Sequence, residues 1–344
     1  MRNGVKSLSL EQDEKKIYTL NDIARELGVN KATVSKAISG KGSLSAETRA
    51  RILNYIEKCG YQPNAVAQSL ARSRTYNIGL MMPGDVGVFD MAFFRDCLQG
   101  VCKAASGGGY DVLITMDGDH PVEQIARLIA HRKIDGVITM RSLVDSQIVD
   151  FLKAKQIPFI VIGSTADPEV RNVDNDNRSA CRDLTSLLIT RGVRKMALLG
   201  GDESYLVTHS RLQGFLDACE QCGLKKEEQL IYLNMRRDNR LAEAIDAALS
   251  KKAECIVCMD DYICNMALAR LRNAGVQIPA DIKIVSFYDN VLLEGNDPSI
   301  TSLRFNAVEL GRIACEQLIS LLEGRATGAA ALPGYQMIIR DSTK

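Results

Sequence analysis

Hydrophobic and polar positions change texture along this chain. Up to residue 16 they show no period, which predicts a polar arm over residues 1–17. From Tyr18 apolar residues recur at helical spacing in short bursts. Ile23, Ala24 and Leu27 make one stripe, with Thr19 as an N-cap and Asp22 three residues on. Gly28 follows where a left-handed residue ends a helix. Asn30 can cap a second helix, with Val34, Ala37 and Ile38 facing inward, and Ser45-Ala46-Glu47-Thr48 opens a third. Ile52, Tyr55, Ile56 and Cys59 lie on one face of that third helix, and Gly60 ends it. The pattern predicts a small three-helix head over residues 18–62. Pro63 then stops the chain, and Asn64 can cap a short alanine-rich helix within a linker at residues 63–75. About eight residues is too short for a stable helix in water without support.

From Ile78 onward the texture becomes alternating buried strands and amphipathic helices. Strands are expected at Ile78–Met82, Asp111–Met116, Gly136–Met140 and Phe159–Ile162, with helices near 93–105, 121–132 and 145–155. A second series follows: Lys195–Gly200, Gln229–Tyr232, Cys255–Met259 and Lys283–Phe287, with helices near 178–191, 210–222, 240–250 and 262–274. Continuous apolar strands between helices indicate parallel sheets covered on both faces. The fold class is therefore α/β, with two doubly wound lobes over residues 76–344 and a ligand cleft at the carboxyl ends of the strands. A closing helix, Val308–Leu322, and a strand, Gly334–Ile339, can cross back between the lobes.

The second helix points Lys31, Ala32, Ser35 and Lys36 outward from its first turns. Small, polar and basic residues there suit a helix that enters a DNA major groove. They also suit an ordinary helical hairpin with a solvated basic face. Charge adds weight to the first reading. Residues 1–75 hold 13 Lys/Arg against 7 Asp/Glu, whereas the remainder holds 30 against 35. At 46% hydrophobic and 25% charged residues, a disordered chain is excluded. The N-terminal stretch has no signal-peptide core and no apolar run approaches spanning length, so a cytoplasmic protein without a membrane role is expected. Its ten cysteines are then expected to be reduced. Cys255 and Cys258, three apart on a strand, should point to opposite faces and so not chelate one metal.

The head, linker and two-lobed body together resemble the LacI/GalR, or lactose-repressor-like, family of bacterial transcription regulators. The likeness is densest in Thr19-Leu20-Asn21-Asp22-Ile23-Ala24, Gly28-Val29, Ala32-Thr33-Val34-Ser35 and Ser45-Ala46-Glu47-Thr48-Arg49. It continues through Gly60-Tyr61-Gln62-Pro63-Asn64-Ala65-Val66-Ala67, Leu70 and Ala71. Looser body matches are Phe93-Phe94, Ile134-Asp135-Gly136, Arg211-Leu212-Gln213-Gly214-Phe215, Asp260-Asp261, Val285-Ser286-Phe287 and Leu310-Gly311-Arg312. The resemblance implies a helix-turn-helix head on a periplasmic-binding-protein-like body. It implies base contacts from Lys31, Ala32 and Lys36, and backbone contacts from Thr19, Thr33, Ser35 and Asn64. Leu70 matches the family's minor-groove wedge, and the residue alone also fits a core position.

For the body, the resemblance implies a sensor of a small molecule. Arg211, read as beginning the helix after Gly200-Gly201, and Asp261, after the Cys255–Met259 strand, match effector-gripping positions. By residue type they also fit a helix-terminal salt bridge and an N-terminal helix charge. Asp85, Asp117, Ser142, Ser164, Asn234 and Tyr288 are further candidates because they follow strands. Three departures from the family pattern argue against a simple hexose: Gly163-Ser164 after the fourth strand, the loop Gly84–Asp90, and Tyr288 in place of one of two aspartates. The expected partners are operator DNA, a sugar-like effector and a second copy of the chain. The chain ends soon after its last strand without heptads, so a dimer rather than a tetramer is expected. No cofactor or metal is called for. The rivals are an exported solute-binding protein and a doubly wound enzyme. Against an enzyme, Gly107-Gly108-Gly109 should precede a strand, and His120, His131 and His209 are scattered.

Overall fold

The computed structural model describes the chain apart from residues 1–17, 41, 62–73, 85–90, 119, 141, 237–239 and 327–331. The expected hinge helix, with Asn64 and Leu70, and the candidate Asp85 lie outside the described residues. The chain divides into two compact units, Met1–Ser73 and Arg74–Lys344.

In the first unit α1 (Leu20–Glu26), α2 (Lys31–Ser39) and α3 (Ala46–Cys59) begin and end where local chemistry directs. Thr19 closes a capping box with Asp22, and Asn30 and Ser45 accept from the backbone N–H groups of Thr33 and Thr48. Gly40 and Gly60 stop α2 and α3 in the left-handed conformation, at φ 70° and 62°. Ile23, Ala24, Val34, Ala37 and Ile52 form the buried centre. Arg51 ties α3 to the α1–α2 turn by donating to the Leu27 carbonyl at 3.0 Å.

The second unit carries two sheets. The first holds β1 (Asn77–Pro83), β2 (Asp111–Asp117), β3 (Gly136–Thr139), β4 (Phe159–Ile162) and β5 (Asn172–Val173), all parallel, in the order β2-β1-β3-β4-β5. Between them run α4 (Ala92–Gly107), α5 (Pro121–Ala130) and α6 (Gln147–Ala154). After α7 (Asn177–Thr190) comes β6 (Met196–Leu199), then α8 (Leu206–Gln221), β7 (Leu230–Tyr232), α9 (Arg240–Ser250), β8 (Cys255–Cys258), α10 (Asp261–Asn273) and β9 (Lys283–Ser286). The short α11 (Val291–Glu294), β10 (Thr301–Phe305), α12 (Ala307–Leu322) and β11 (Tyr335–Ile338) close the chain. The second sheet runs β11-β10-β9-β8-β6-β7, with only β11 antiparallel.

Each lobe is completed by a helix from the far side of a crossover. Leu310, Ile313, Ala314 and Leu318 of α12 pack into the first lobe's core with Ile78, Leu80, Ile138 and Ile160. Conversely α7, which follows the first sheet, packs Ala180, Leu184 and Leu188 into the second lobe. Glycine makes both helix crossings possible. A Cβ on Gly100 of α4 would sit 1.9 Å from the Val308 carbonyl oxygen of α12, and one on Gly214 of α8 would sit 2.3 Å from the Arg178 carbonyl oxygen of α7. The closing helix therefore crosses to the first lobe, and β11 returns to the second.

Cys255 packs on one face of the second sheet and Cys258 on the other, as their spacing on a strand requires. After Gly107-Gly108-Gly109 the next element is indeed a strand, β2. Two strands were not read from the pattern, β5 and β10. The first is two residues long, and the second, TSLRF, carries an exposed Arg304 inside an otherwise buried run.

Candidate functional site

In the head, Lys31, Ala32, Ser35 and Lys36 are exposed on the N-terminal half of α2, while Val34 and Ala37 on the opposite face are buried. The partial positive charge of a helix N-terminus adds to that of Lys31. Thr19 and Thr33 differ from these four. The Thr19 hydroxyl donates to Asp22 Oδ2 at 2.6 Å and the Thr33 hydroxyl to Asn30 Oδ1 at 2.8 Å. Both are built into helix caps.

In the body a cavity of about 470 Å³ lies where the carboxyl ends of both sheets meet, within the ~300–1,000 Å³ typical of ligand pockets. Pro83 and Ile162 from the first sheet and Met259 and Tyr288 beyond strands of the second all border it. Beside it the lobes touch directly. The backbone N–H of Val144 donates to the Ser204 carbonyl at 2.9 Å, and that of Leu206 to the Ser142 carbonyl at 3.0 Å.

One wall is aromatic. Phe93 meets Phe94 edge-on at 5.2 Å between ring centroids and Tyr288 edge-on at 5.9 Å, and Tyr288 stacks on Phe305 at 6.0 Å. Burial, with Cys97 and Asp96 nearby, pushes the Tyr288 phenol well above its ordinary pKa, so it stays a neutral donor.

The other wall is polar. Arg211 donates Nε to Asn177 Oδ1 at 3.0 Å and Nη1 to the Met259 carbonyl, so its guanidinium spans from the start of α7 to the end of β8. Asp260 caps α10 through Oδ1, which accepts from Ile263 N at 2.8 Å, while its Oδ2 accepts from Arg236 Nη2 at 2.7 Å. Asp261 is 1% exposed. Its Oδ2 accepts from Asn290 Nδ2 at 2.8 Å, and its Oδ1 is buried with no hydrogen-bond partner. Burial first, then the neighbouring Asp260, raises the Asp261 pKa to about 6. Asp174 accepts from Ser164 Oγ at 2.5 Å, from Asn175 N at 2.7 Å and from Asn177 Nδ2 at 3.3 Å. Burial raises its pKa also, against the pull of those bonds and of Arg211.

Of the sequence-derived effector residues, Arg211, Asp261, Ser142 and Tyr288 border this one cavity. Arg211 does so from the second turn of α8, because the helix begins at Leu206 and not at Arg211. Ser164 and Asn234 are not among the cavity's lining residues. The Ser164 hydroxyl is spent on Asp174, and its carbonyl accepts from the Ser142 hydroxyl. Asn234, at φ 64°, braces the 201–203 loop through Glu203, donating to Oε2 at 2.8 Å and accepting from its backbone N–H at 3.3 Å. Asp117 ends β2, an edge strand, and its side chain lies outside what is described. Sequence reasoning missed Asp174, Asn177, Arg236 and Asp260 as cavity residues. Asp174 and Asn177 follow the two-residue β5, which offers no apolar run, and Arg236 lies beyond β7 in a polar loop.

The head and body each match a described family. Residues 19–64 match bacterial regulatory proteins of the lacI family, and residues 75–332 match periplasmic binding proteins and the sugar binding domain of the LacI family. The chain is 27% identical over 336 residues to the HTH-type transcriptional regulator RegA of Clostridium saccharobutylicum, covering 94% of this chain and 99% of that protein. It is 31% identical over 280 residues to the HTH-type transcriptional regulator AglR of Rhizobium meliloti, covering 79% and 78% of the two chains. In fold it is similar to the lac repressor dimer bound to operator and the anti-inducer ONPF, with a TM-score of 0.79 at 20% identity over 95% of this chain and 99% of that one. It is also similar to a CelR–cellobiose complex, with a TM-score of 0.71 at 24% identity, over 94% and 99%. The fold and the paired matches define a regulator with a DNA-binding head and a ligand-sensing body. The chain belongs to the LacI family of bacterial regulatory proteins and is a DNA-binding transcriptional regulator. Among the described residues, no helix is long and apolar enough to cross a membrane.

Proposed function

We propose that this regulator is a cytoplasmic homodimer and no enzyme, and that a sugar or sugar derivative held between its lobes changes its affinity for a pseudo-palindromic operator. The observation that carries this is the cavity itself. At the carboxyl ends of both sheets it sets a buried carboxylate with an open acceptor, Asp261, within one lining with Arg211 and an aromatic wall. A polyol ring has polar edges for the first two and an apolar face for the third. Because residues from both lobes border the cavity, a ligand there favours one inter-lobe arrangement over another, which is the differential affinity an allosteric switch needs. In the head, Lys31, Ala32 and Lys36 read bases, while Thr19, Thr33 and Ser35 position the head on phosphates. Because a phosphate only accepts, Thr19 and Thr33 do so by turning the hydroxyl proton from its cap partner, Asp22 or Asn30, to the phosphate. Asn64 and Leu70 are carried into this scheme by the resemblance alone, as a backbone contact and a minor-groove wedge.

The test pairs two measurements. Selection of bound DNA from a random pool by the full chain should enrich a two-fold symmetric site, and anisotropy on that site should shift when the right sugar is added. Arg211→Ala should weaken sugar binding by about tenfold or more, near 1.4 kcal/mol, in calorimetry while leaving operator binding without ligand intact. Unchanged sugar affinity would remove Arg211 from the pocket, and enrichment of no symmetric site would overturn the dimer reading.

A further inference from the structure

Two loops of opposite lobes meet in a short piece of antiparallel ladder. Leu143, beyond β3, is bridged to Tyr205, the N-cap residue of α8. The backbone N–H of Val144 donates to the Ser204 carbonyl at 2.9 Å, and that of Leu206 to the Ser142 carbonyl at 3.0 Å. Leu206 is the first residue of α8. The opening N–H groups of a helix have no partner inside it, and Ser142 supplies one from the other lobe. Ser142, Leu143, Ser204 and Tyr205 line the cavity while Val144 is exposed, so the bridge is part of the cavity's rim.

Each loop is pinned within its own lobe. The Ser142 hydroxyl donates to the Ser164 carbonyl, and Ser164 donates its own hydroxyl to Asp174. Gly163 permits that approach: it sits at φ 119°, and a Cβ there would lie 2.8 Å from the Ser142 Cβ. In the second lobe Asp202 Oδ1 accepts from Ser204 N at 2.9 Å and from the Ser204 hydroxyl at 2.8 Å. Asn234 holds the side chain and the backbone N–H of Glu203, and His209 Nε2 donates to the Glu203 carbonyl at 2.7 Å. Loops held in this way lose little further freedom when they meet, so the two bonds keep most of their worth.

Resting on the sensor reading above, we propose that this bridge is a clasp that sets the balance between open and closed lobes before any ligand binds. Both bonds run from protein to protein, so they favour closure whether the cavity is filled or empty. A backbone hydrogen bond is worth about two- to tenfold in such an equilibrium. The more the clasp closes the lobes, the less of a ligand's binding energy goes into closing them. Water can compete for the bond at exposed Val144, which keeps the clasp reversible.

Proline substitution tests the clasp one bond at a time in the full chain without ligand. Proline has no N–H and is accepted at the first position of a helix behind an extended residue. Leu206 has that setting, with Tyr205 before it at φ −98° and ψ 130°. Hydrogen exchange is read at the Val144 amide, in the other lobe. Leu206→Pro should speed it by about fivefold, and Leu206→Ala, which keeps the N–H, by less than about twofold. Where Leu206→Pro loosens α8 as a whole, Val144→Pro, read at the Leu206 amide, takes its place. A Val144 amide without protection in the unaltered protein, one indifferent to Leu206→Pro, or one quickened equally by Leu206→Ala overturns the clasp. On operator DNA without ligand, Leu206→Pro should shift affinity by about threefold or more. Faster exchange with unchanged operator affinity keeps the clasp and rejects the sensor. A sugar that shifts operator affinity while Val144 exchange ignores Leu206→Pro does the reverse.

Discussion

Two buried aspartates of the second lobe lie close together and behave in opposite ways. Asp289 is 8% exposed and fully used: it accepts from Arg340 Nη1 at 2.7 Å and Nη2 at 3.1 Å, from Arg304 Nε at 2.8 Å and from the Ser302 hydroxyl at 2.6 Å. Burial alone would raise its pKa, but those bonds and the two cations hold it below the usual carboxylate range. Asp261 is more deeply buried, yet Asn290 is its one side-chain donor among the described residues and no guanidinium there pairs with it. The two are linked in sequence, since Asn290 follows Asp289 directly. Asp289 anchors the loop whose next residue steadies Asp261 and whose preceding residue, Tyr288, forms the cavity's aromatic wall. A carboxylate with every lone pair engaged is scaffold, and one held in place but left open is a site.

The largest effect should come from stripping the scaffold member of its partner. Arg340→Met leaves Asp289 with Arg304 and Ser302 only, and should cost about 3 kcal/mol of stability, or roughly 6–10 °C in melting temperature. Denaturant unfolding checks it, and a loss under about 1 kcal/mol would mean that Arg304 suffices.

A smaller effect separates the pair by pH. The Asp261 pKa in the fold, about 6, lies above its unfolded value. Its contribution to stability is therefore greatest below about pH 4 and is lost as pH rises through 6. For Asp289, whose pKa is depressed, the sign is opposite: its contribution is present above the unfolded pKa and is lost only as pH falls through the acid range. Asp261→Asn should consequently be as stable as the unaltered protein, or more so, at pH 7, and this relative gain should shrink by about 1–2 kcal/mol on going to pH 5. Unfolding both proteins at each pH tests it, because the other carboxylates cancel in the difference. A gap that does not change with pH would show that Asp261 does not titrate there.

How legible this contrast was in the sequence depends on the length of the signal. The strands Phe159–Ile162 and Cys255–Cys258, and the helix starts at Thr19, Asn30 and Ser45, carry uninterrupted apolar runs or capping side chains, and they fold where the pattern places them. Asp261 stood out because it follows a strand. Asp289 did not, because its role depends on Arg340, 51 residues away. Asp174 was hidden because only the two-residue β5 leads to it, and Arg236 because its ion-pair partner, Asp260, is 24 residues away. Ser164 and Asn234 satisfied the rule that ligands meet strand ends, and were instead taken up by Asp174 and Glu203. Position after a strand says where a residue lies. Whether it is still open for a ligand is set by partners that the sequence does not place.

The same distinction runs through the head, where its effects are smallest. Asn30 is committed: its side chain accepts from Thr33 N at 2.7 Å and from the Thr33 hydroxyl. Ser35, one turn further along α2, is exposed. Asn30→Ala should destabilise the head by about 1 kcal/mol, read from amide hydrogen exchange across residues 20–39 in the full chain. Ser35→Ala should leave that exchange within about 0.5 kcal/mol of the unaltered protein. It should instead weaken binding by about fivefold, near 1 kcal/mol, on operator and random DNA alike, because a phosphate contact positions without reading sequence. A loss confined to operator DNA would make Ser35 a base contact. Faster exchange after Ser35→Ala would make it part of the fold, and the division between committed and open polar groups would then fail in the head.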